Sequence, residues 1–97
     1  MMIGLVAVLK IKAGTEEKVV KACIKMAEAV RMHEKECILY EPYMPVDETP
    51  KIVFIEKYTG MEAFEEHRRS PHYQEFRLAI EDALEGPPEV TVLKPLG

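Results

Sequence analysis

Residues 3–11 place Ile3, Leu5, Ala7, Leu9 and Ile11 on one face and Gly4, Val6, Val8 and Lys10 on the other. A period of two marks a β-strand, and a strand that is apolar on both faces needs cover on both sides. Lys51–Tyr58 (KIVFIEKY) repeats the pattern, with Ile52, Phe54, Glu56 and Tyr58 alternating with Val53, Ile55 and Lys57. A sheet built on these two strands needs a helical layer on one face and something further on the other. That requirement rules out a one-faced sheet standing free in water.

The remaining segments supply the helical layer. Ala13-Gly14-Thr15 is a turn that presents Thr15 as N-cap, with Glu16 and Glu17 in the first helical turn. Val19, Cys23, Met26, Ala27 and Val30 then follow the spacing of one helix face, which predicts a helix over 16–34 with His33 at its exposed end. Cys37–Met44 (CILYEPYM) reads as a second strand, at an edge or bulged because Pro42 cannot donate to a ladder. Residues 45–50 close a hairpin with the Lys51–Tyr58 strand. Thr59 and Glu62 have capping-box spacing for a short helix ending near Arg69, and Ser70-Pro71 restarts a helix with Tyr73, Phe76, Ile80 and Leu84 on its apolar face. Gly86-Pro87-Pro88 ends it, and residues 89–94 form a last strand. The order β-α-β-β-α-β is that of an α+β, ferredoxin-like split βαβ fold: a four-stranded antiparallel sheet with helices on one face. The uncovered face is expected to pack on a second copy, giving a homodimer.

The chain has 97 residues, the length of one domain, so 1–97 is expected to fold as a single unit with little stability to spare. A net charge of −4 argues against nucleic acid as a partner, because phosphate binding needs a concentrated basic surface. No apolar run reaches the roughly 20 residues needed to cross a bilayer, and no basic segment precedes the apolar start; no membrane partner and a cytoplasmic location are the expectations. Cys23 and Cys37 lack histidines at ligand spacing and are expected to be free structural thiols, with no metal bound.

Taken in order, IGLVAVLKIKAGTEEKV, CILYEPY with KIVFIEKY, FEEHRRSPHYQEF and GPPEVTVLKP resemble the antibiotic biosynthesis monooxygenase family, which includes small quinol monooxygenases. The resemblance covers essentially the whole chain. It implies a dimeric α/β-barrel with a pocket between sheet and helices in each subunit. It also implies oxygenation of a quinol-like or aromatic small molecule without metal, haem or flavin. A haem-degrading branch of the same superfamily carries Asn, Trp and His where this chain has Ala7, His67 and Arg77, so that chemistry is not expected here. A branch that isomerises a phosphorylated signalling compound would need a basic site, for which Arg68, Arg69 and Arg77 are available.

The candidate catalytic residue is His67, three positions after Phe64 on the same helical side, where an imidazole can take a proton near neutral pH; the alternative is a histidine that ties two helical pieces together. His72, Glu56, Tyr40, Tyr58 and Tyr73 are the candidate substrate-binding residues. His72, in a first helical turn, is expected to stay neutral and equally suits bracing the turn. Glu56 lies on an apolar strand face, where a carboxyl is costly unless functional or paired with His67 or an arginine. The tyrosines suit an aromatic pocket and equally suit a core. A non-enzymatic ligand-binding dimer on the same scaffold is the rival reading. It calls for a filled core with both histidines braced by backbone, whereas an enzyme calls for an open cavity with His67 facing into it.

Overall fold

The computed structural model describes all of residues 1–97. Its elements are β1 (Ile3–Lys10), α1 (Glu16–His33), β2 (Cys37–Tyr43), β3 (Lys51–Tyr58), α2 (Met61–Arg69), α3 (Pro71–Ile80), a 3₁₀ turn (Glu81–Ala83) and β4 (Glu89–Leu93). The sheet order is β2-β3-β1-β4, with every neighbouring pair antiparallel. This is the expected ferredoxin-like α+β fold, and the expected edge position for Pro42 holds: β2 is an outer strand, and its bulge lies at Cys37/Leu39. No helix is long and apolar enough to cross a membrane.

The period-two pattern determines which side chains the helices cover. Ile3, Leu5, Ala7 and Leu9 of β1 and Ile52, Phe54, Glu56 and Tyr58 of β3 are buried on the helical side. Val19, Cys23, Met26, Ala27 and Val30 of α1 meet them, as do Phe64 of α2 and Phe76 and Ile80 of α3. Each fully buried aliphatic or aromatic side chain in such a layer contributes roughly 1.5–3 kcal/mol. On the opposite face Val6, Val8 and Val53 are half-buried, while Ile55, Leu93 and Tyr43 stand exposed in the single chain. The helical layer also stops short of β4. Val92 and Val90, paired with Leu5 and Ala7, are 45% and 51% exposed although they share the helix-side face. A trough is left there, open at the β4 edge.

Three boundary expectations are corrected. Thr59 does not cap α2: its N–H donates to Glu36 O across the strand pairing at 3.0 Å, so the chain is still extended there and Gly60 takes the cap position without a side-chain bond. Thr15 precedes α1, but its hydroxyl donates back to Lys12 O at 2.7 Å instead of accepting from the helix. The last helix ends at Ile80 and not at Gly86, because the chain passes through the 3₁₀ turn to bring Leu84 into a bridge with Ile11, just past the end of β1.

Ser70 behaves as its position predicts. Its side chain accepts from Tyr73 N–H at 3.2 Å and donates to His67 O at 2.7 Å, so one hydroxyl ends α2 and starts α3. Pro71 at the first position of α3 forfeits an N–H that has no helical partner there. Ser70→Ala is therefore expected to cost about 1 kcal/mol in chemical denaturation, with Ser70→Thr retaining most of it. An unchanged midpoint in Ser70→Ala would contradict this role.

Candidate active site

A cavity of about 360 Å³ lies between the helix-side face of the sheet and α2–α3. That volume is in the range of small-molecule sites. The sheet contributes Tyr40, Phe54 and Glu56 to its wall, the helices contribute His67, Tyr73 and Phe76, and Val90 and Val92 mark its open side.

His67 is almost wholly buried, 3% exposed, at the end of α2 where Ser70 breaks the helix. Its ring is set among aromatic side chains, with centroids 5.1 Å from Tyr73, 5.2 Å from Tyr40 and 5.5 Å from Tyr58. Its Nδ1 lies 2.9 Å from both carboxylate oxygens of Glu34, the residue that follows α1. Burial pushes the Glu34 carboxyl up, but the hydrogen bonds from His67 and His72 together outweigh it and hold the group below its ordinary value. Glu34 is therefore ionised at neutral pH and can only accept. It follows that Nδ1 of His67 carries a proton, so that whenever the ring is neutral the lone pair is on Nε2.

Glu56 is 4% exposed and accepts a hydrogen bond from the Tyr58 hydroxyl at 2.6 Å. Its partner is thus a tyrosine two residues along the same strand, neither His67 nor an arginine. Burial raises its proton affinity above the ordinary carboxyl value; the Tyr58 bond, and the charge of His67 when that ring is protonated, offset part of this, and the charge of Glu34 adds to it. Burial, with Glu56 nearby, also pushes the Tyr40 hydroxyl far up, so Tyr40 remains a neutral phenol against the cavity. Tyr58 lies behind this wall with its hydroxyl committed to Glu56.

His72 is placed elsewhere. Its Nε2 donates to Glu34 Oε2 at 2.5 Å, and its ring stacks on His33 with centroids 5.8 Å apart. It borders a second, solvent-side cavity of about 450 Å³ along with Glu34 and Cys37, and His67 is the one residue that borders both cavities. The donor atoms of Glu34, His67 and His72 lie within 4.8 Å of one another, a set that could ligate a divalent cation. In this structure they satisfy each other by hydrogen bonds. Cys23 and Cys37 are free thiols, both pushed up to about 12, Cys23 by burial and Cys37 by burial and the charges of Glu34 and Glu56.

Glu34 is the residue that sequence reasoning missed. One local signal pointed to it: an acidic side chain just past a helix C-terminus has the wrong sign for the helix dipole. Such a residue needs a cationic or hydrogen-bonding partner, and here it has two.

The sequence profile of the family described as antibiotic biosynthesis monooxygenase matches residues 2–78. The Mycobacterium tuberculosis protein named "Putative monooxygenase Rv0793" is 40% identical over 63 residues, a stretch that spans 65% of this chain and 61% of that protein. The solved structure of Rv0793 superimposes with TM-score 0.91 at 29% identity, covering 100% of this chain and 97% of that one. A crystal structure from Caulobacter crescentus superimposes with TM-score 0.92 at 24% identity, covering 99% and 91% of the two chains, a likeness of fold alone.

The raised carboxyl of Glu56 has a thermodynamic consequence. A carboxyl that binds its proton more tightly in the native state contributes most to stability below its unfolded value of 4.5, and that contribution is lost as pH rises through the folded-state value. Glu56→Gln carries no charge and can still accept from Tyr58 through its carbonyl. It is expected to melt above the parent protein at neutral pH, with the gap closing as pH falls below about 4.5. A Glu56→Gln protein that is less stable by the same margin at both pH values would contradict the assignment.

Proposed function

This chain belongs to the antibiotic biosynthesis monooxygenase family, and from that membership we propose that it is a small monooxygenase that uses dioxygen to oxidise a quinol-like or aromatic molecule. The observation that carries the proposal is the orientation of His67: Nδ1–H is fixed on Glu34, and the ring borders an apolar cavity of ligand size. An open cavity with an inward histidine braced by a carboxylate favours catalysis over a filled binding module.

The chemistry follows from these groups. A phenolic hydroxyl placed against Nε2 gives up its proton as Glu34 stabilises the imidazolium that forms. The resulting phenolate is electron-rich and passes one electron to dioxygen. The two radicals combine to form a carbon–oxygen bond, giving a peroxide on the ring. Loss of water from that peroxide, with the proton returned by His67, leaves a quinone carbonyl. One oxygen atom enters the product and the other leaves as water, and the substrate supplies all four electrons. The apolar walls exclude water and so strengthen each of these interactions. Glu56 and Tyr40 are the groups that bind and orient the oxygen substituents of the ring.

A second copy of the chain, packed on the exposed face that carries Ile55, Leu93 and Tyr43, completes the proposal as a homodimer. The contact would supply the second cover that the two-faced strands require. Ile55→Glu is expected to shift the protein to monomers in analytical ultracentrifugation, and dimers unaffected by it would refute this interface.

Aerobic incubation with substituted hydroquinones, with oxygen uptake followed, tests the activity. The protein is expected to accelerate uptake, and His67→Ala to lower kcat by about 10²-fold or more. Glu34→Gln is expected to lower kcat with little change in KM, because it affects orientation of the base and not the cavity. The absence of uptake with the parent protein, or full activity in His67→Ala, would overturn the proposal.

A further inference from the structure

Arg77 is the second unusual group in this cavity wall. Its Nη1 donates to the Tyr73 hydroxyl at 3.2 Å and its guanidinium carbon sits 6.0 Å from the Tyr73 ring centre. Its Nε is the only buried side-chain nitrogen or oxygen of the whole chain without a hydrogen-bond partner. A buried donor left unpaired is costly, and a charged one more so. Arg77 also has no carboxylate partner within ion-pair distance, and neither has Arg68, whose guanidinium lies over the Phe64 ring at 5.7 Å. Both arginines border this cavity and the polar recess next to it, which Glu65 and Glu81 also line without pairing with either.

The placement relative to His67 is informative. Tyr73 neighbours both, its ring 5.1 Å from that of His67 and 6.0 Å from the guanidinium of Arg77. One substituted aromatic ring lying along Tyr73 would span from one to the other. With Nη1 held by Tyr73 and Nε sealed inside the protein, Nη2 is the N–H donor of Arg77 left to meet a carboxylate, with the unpaired guanidinium of Arg68 bordering the same cavity.

On the reading of this cavity given above, we propose that its substrate is an aromatic hydroxy acid, bound with its carboxylate on Arg77, beside Arg68, and its hydroxyl at His67. The arginine then does two things. It selects for an acid over a neutral quinol, and it fixes which hydroxyl meets the base. Aromatic walls with a single cationic end favour a flat ring bearing one acidic group over a sugar phosphate, whose hydroxyls would find few partners among Phe54, Phe64 and Phe76.

Equilibrium binding separates this proposal from the monooxygenase reading, since it needs no turnover. Isothermal titration of the full chain with 4-hydroxybenzoate and with its neutral relative 4-hydroxybenzamide is expected to show the acid binding about tenfold or more tightly. Arg77→Gln is expected to erase that preference and Arg77→Lys to restore part of it, each variant first shown to melt like the parent. Arg68→Gln, on the cavity rim, is expected to reduce the preference without removing it. Equal binding of acid and amide, binding of neither, or a preference for 4-hydroxyphenyl phosphate over the carboxylate would each overturn the proposal. Oxygen uptake with neutral hydroquinones could persist in that event, so the two readings fail independently.

Discussion

The site depends on one charge-assisted contact, the donation from His67 Nδ1 to the Glu34 carboxylate at 2.9 Å. It joins the end of α1 to the end of α2, and it determines which imidazole nitrogen is free. Without it the ring would sit among Tyr40, Tyr58, Phe64 and Tyr73 with no polar constraint on its orientation. Glu34 has its own need of the contact: an acidic group at a helix C-terminus opposes the dipole, and two histidine donors neutralise that conflict. Structure and chemistry therefore draw on the same bond. Ser70 reinforces it by holding the backbone of His67 while starting the next helix.

The sheet divides the work by face. Alternation along β1 and β3 sends Leu5, Ala7, Phe54 and Glu56 to the helical side, where the cavity forms because the helices end before reaching β4. The same alternation leaves Ile55, Leu93 and Tyr43 on the far face. Within the cavity the polar groups are few and distinct: an imidazole with one free nitrogen, a carboxyl whose proton affinity burial raises, and a neutral phenol. Arg68 and Arg77, neither paired with a carboxylate, also border it.

Much of this could be read from the chain. The bounds of β3, the break at Ser70-Pro71 and the inward direction of His67 follow from local patterns, each set by a period or a cap within a few residues. Burial of Glu56 on an apolar strand face was legible too, although its partner Tyr58 was not, despite lying two positions away on the same face. Thr59 was misread because a capping-box spacing also occurs where a strand is still paired, and pairing with Glu36 prevailed. Glu34 was least visible. Glu34 meets His67 across 33 positions of sequence, a contact that only the packing of α1 beside α2–α3 creates. The unpaired Nε of Arg77 is a property of its surroundings, which no local pattern encodes.

The central claim is that Glu34 holds His67 as the Nδ1–H tautomer with Nε2 unprotonated. Imidazole ¹⁵N shifts in a long-range ¹H–¹⁵N NMR experiment measure this directly in the neutral ring. A protonated-type shift at Nδ1 and a bare-type shift at Nε2, both lost in Glu34→Ala, are the predicted result. The opposite tautomer, or a His67 spectrum unchanged by removal of Glu34, would contradict it.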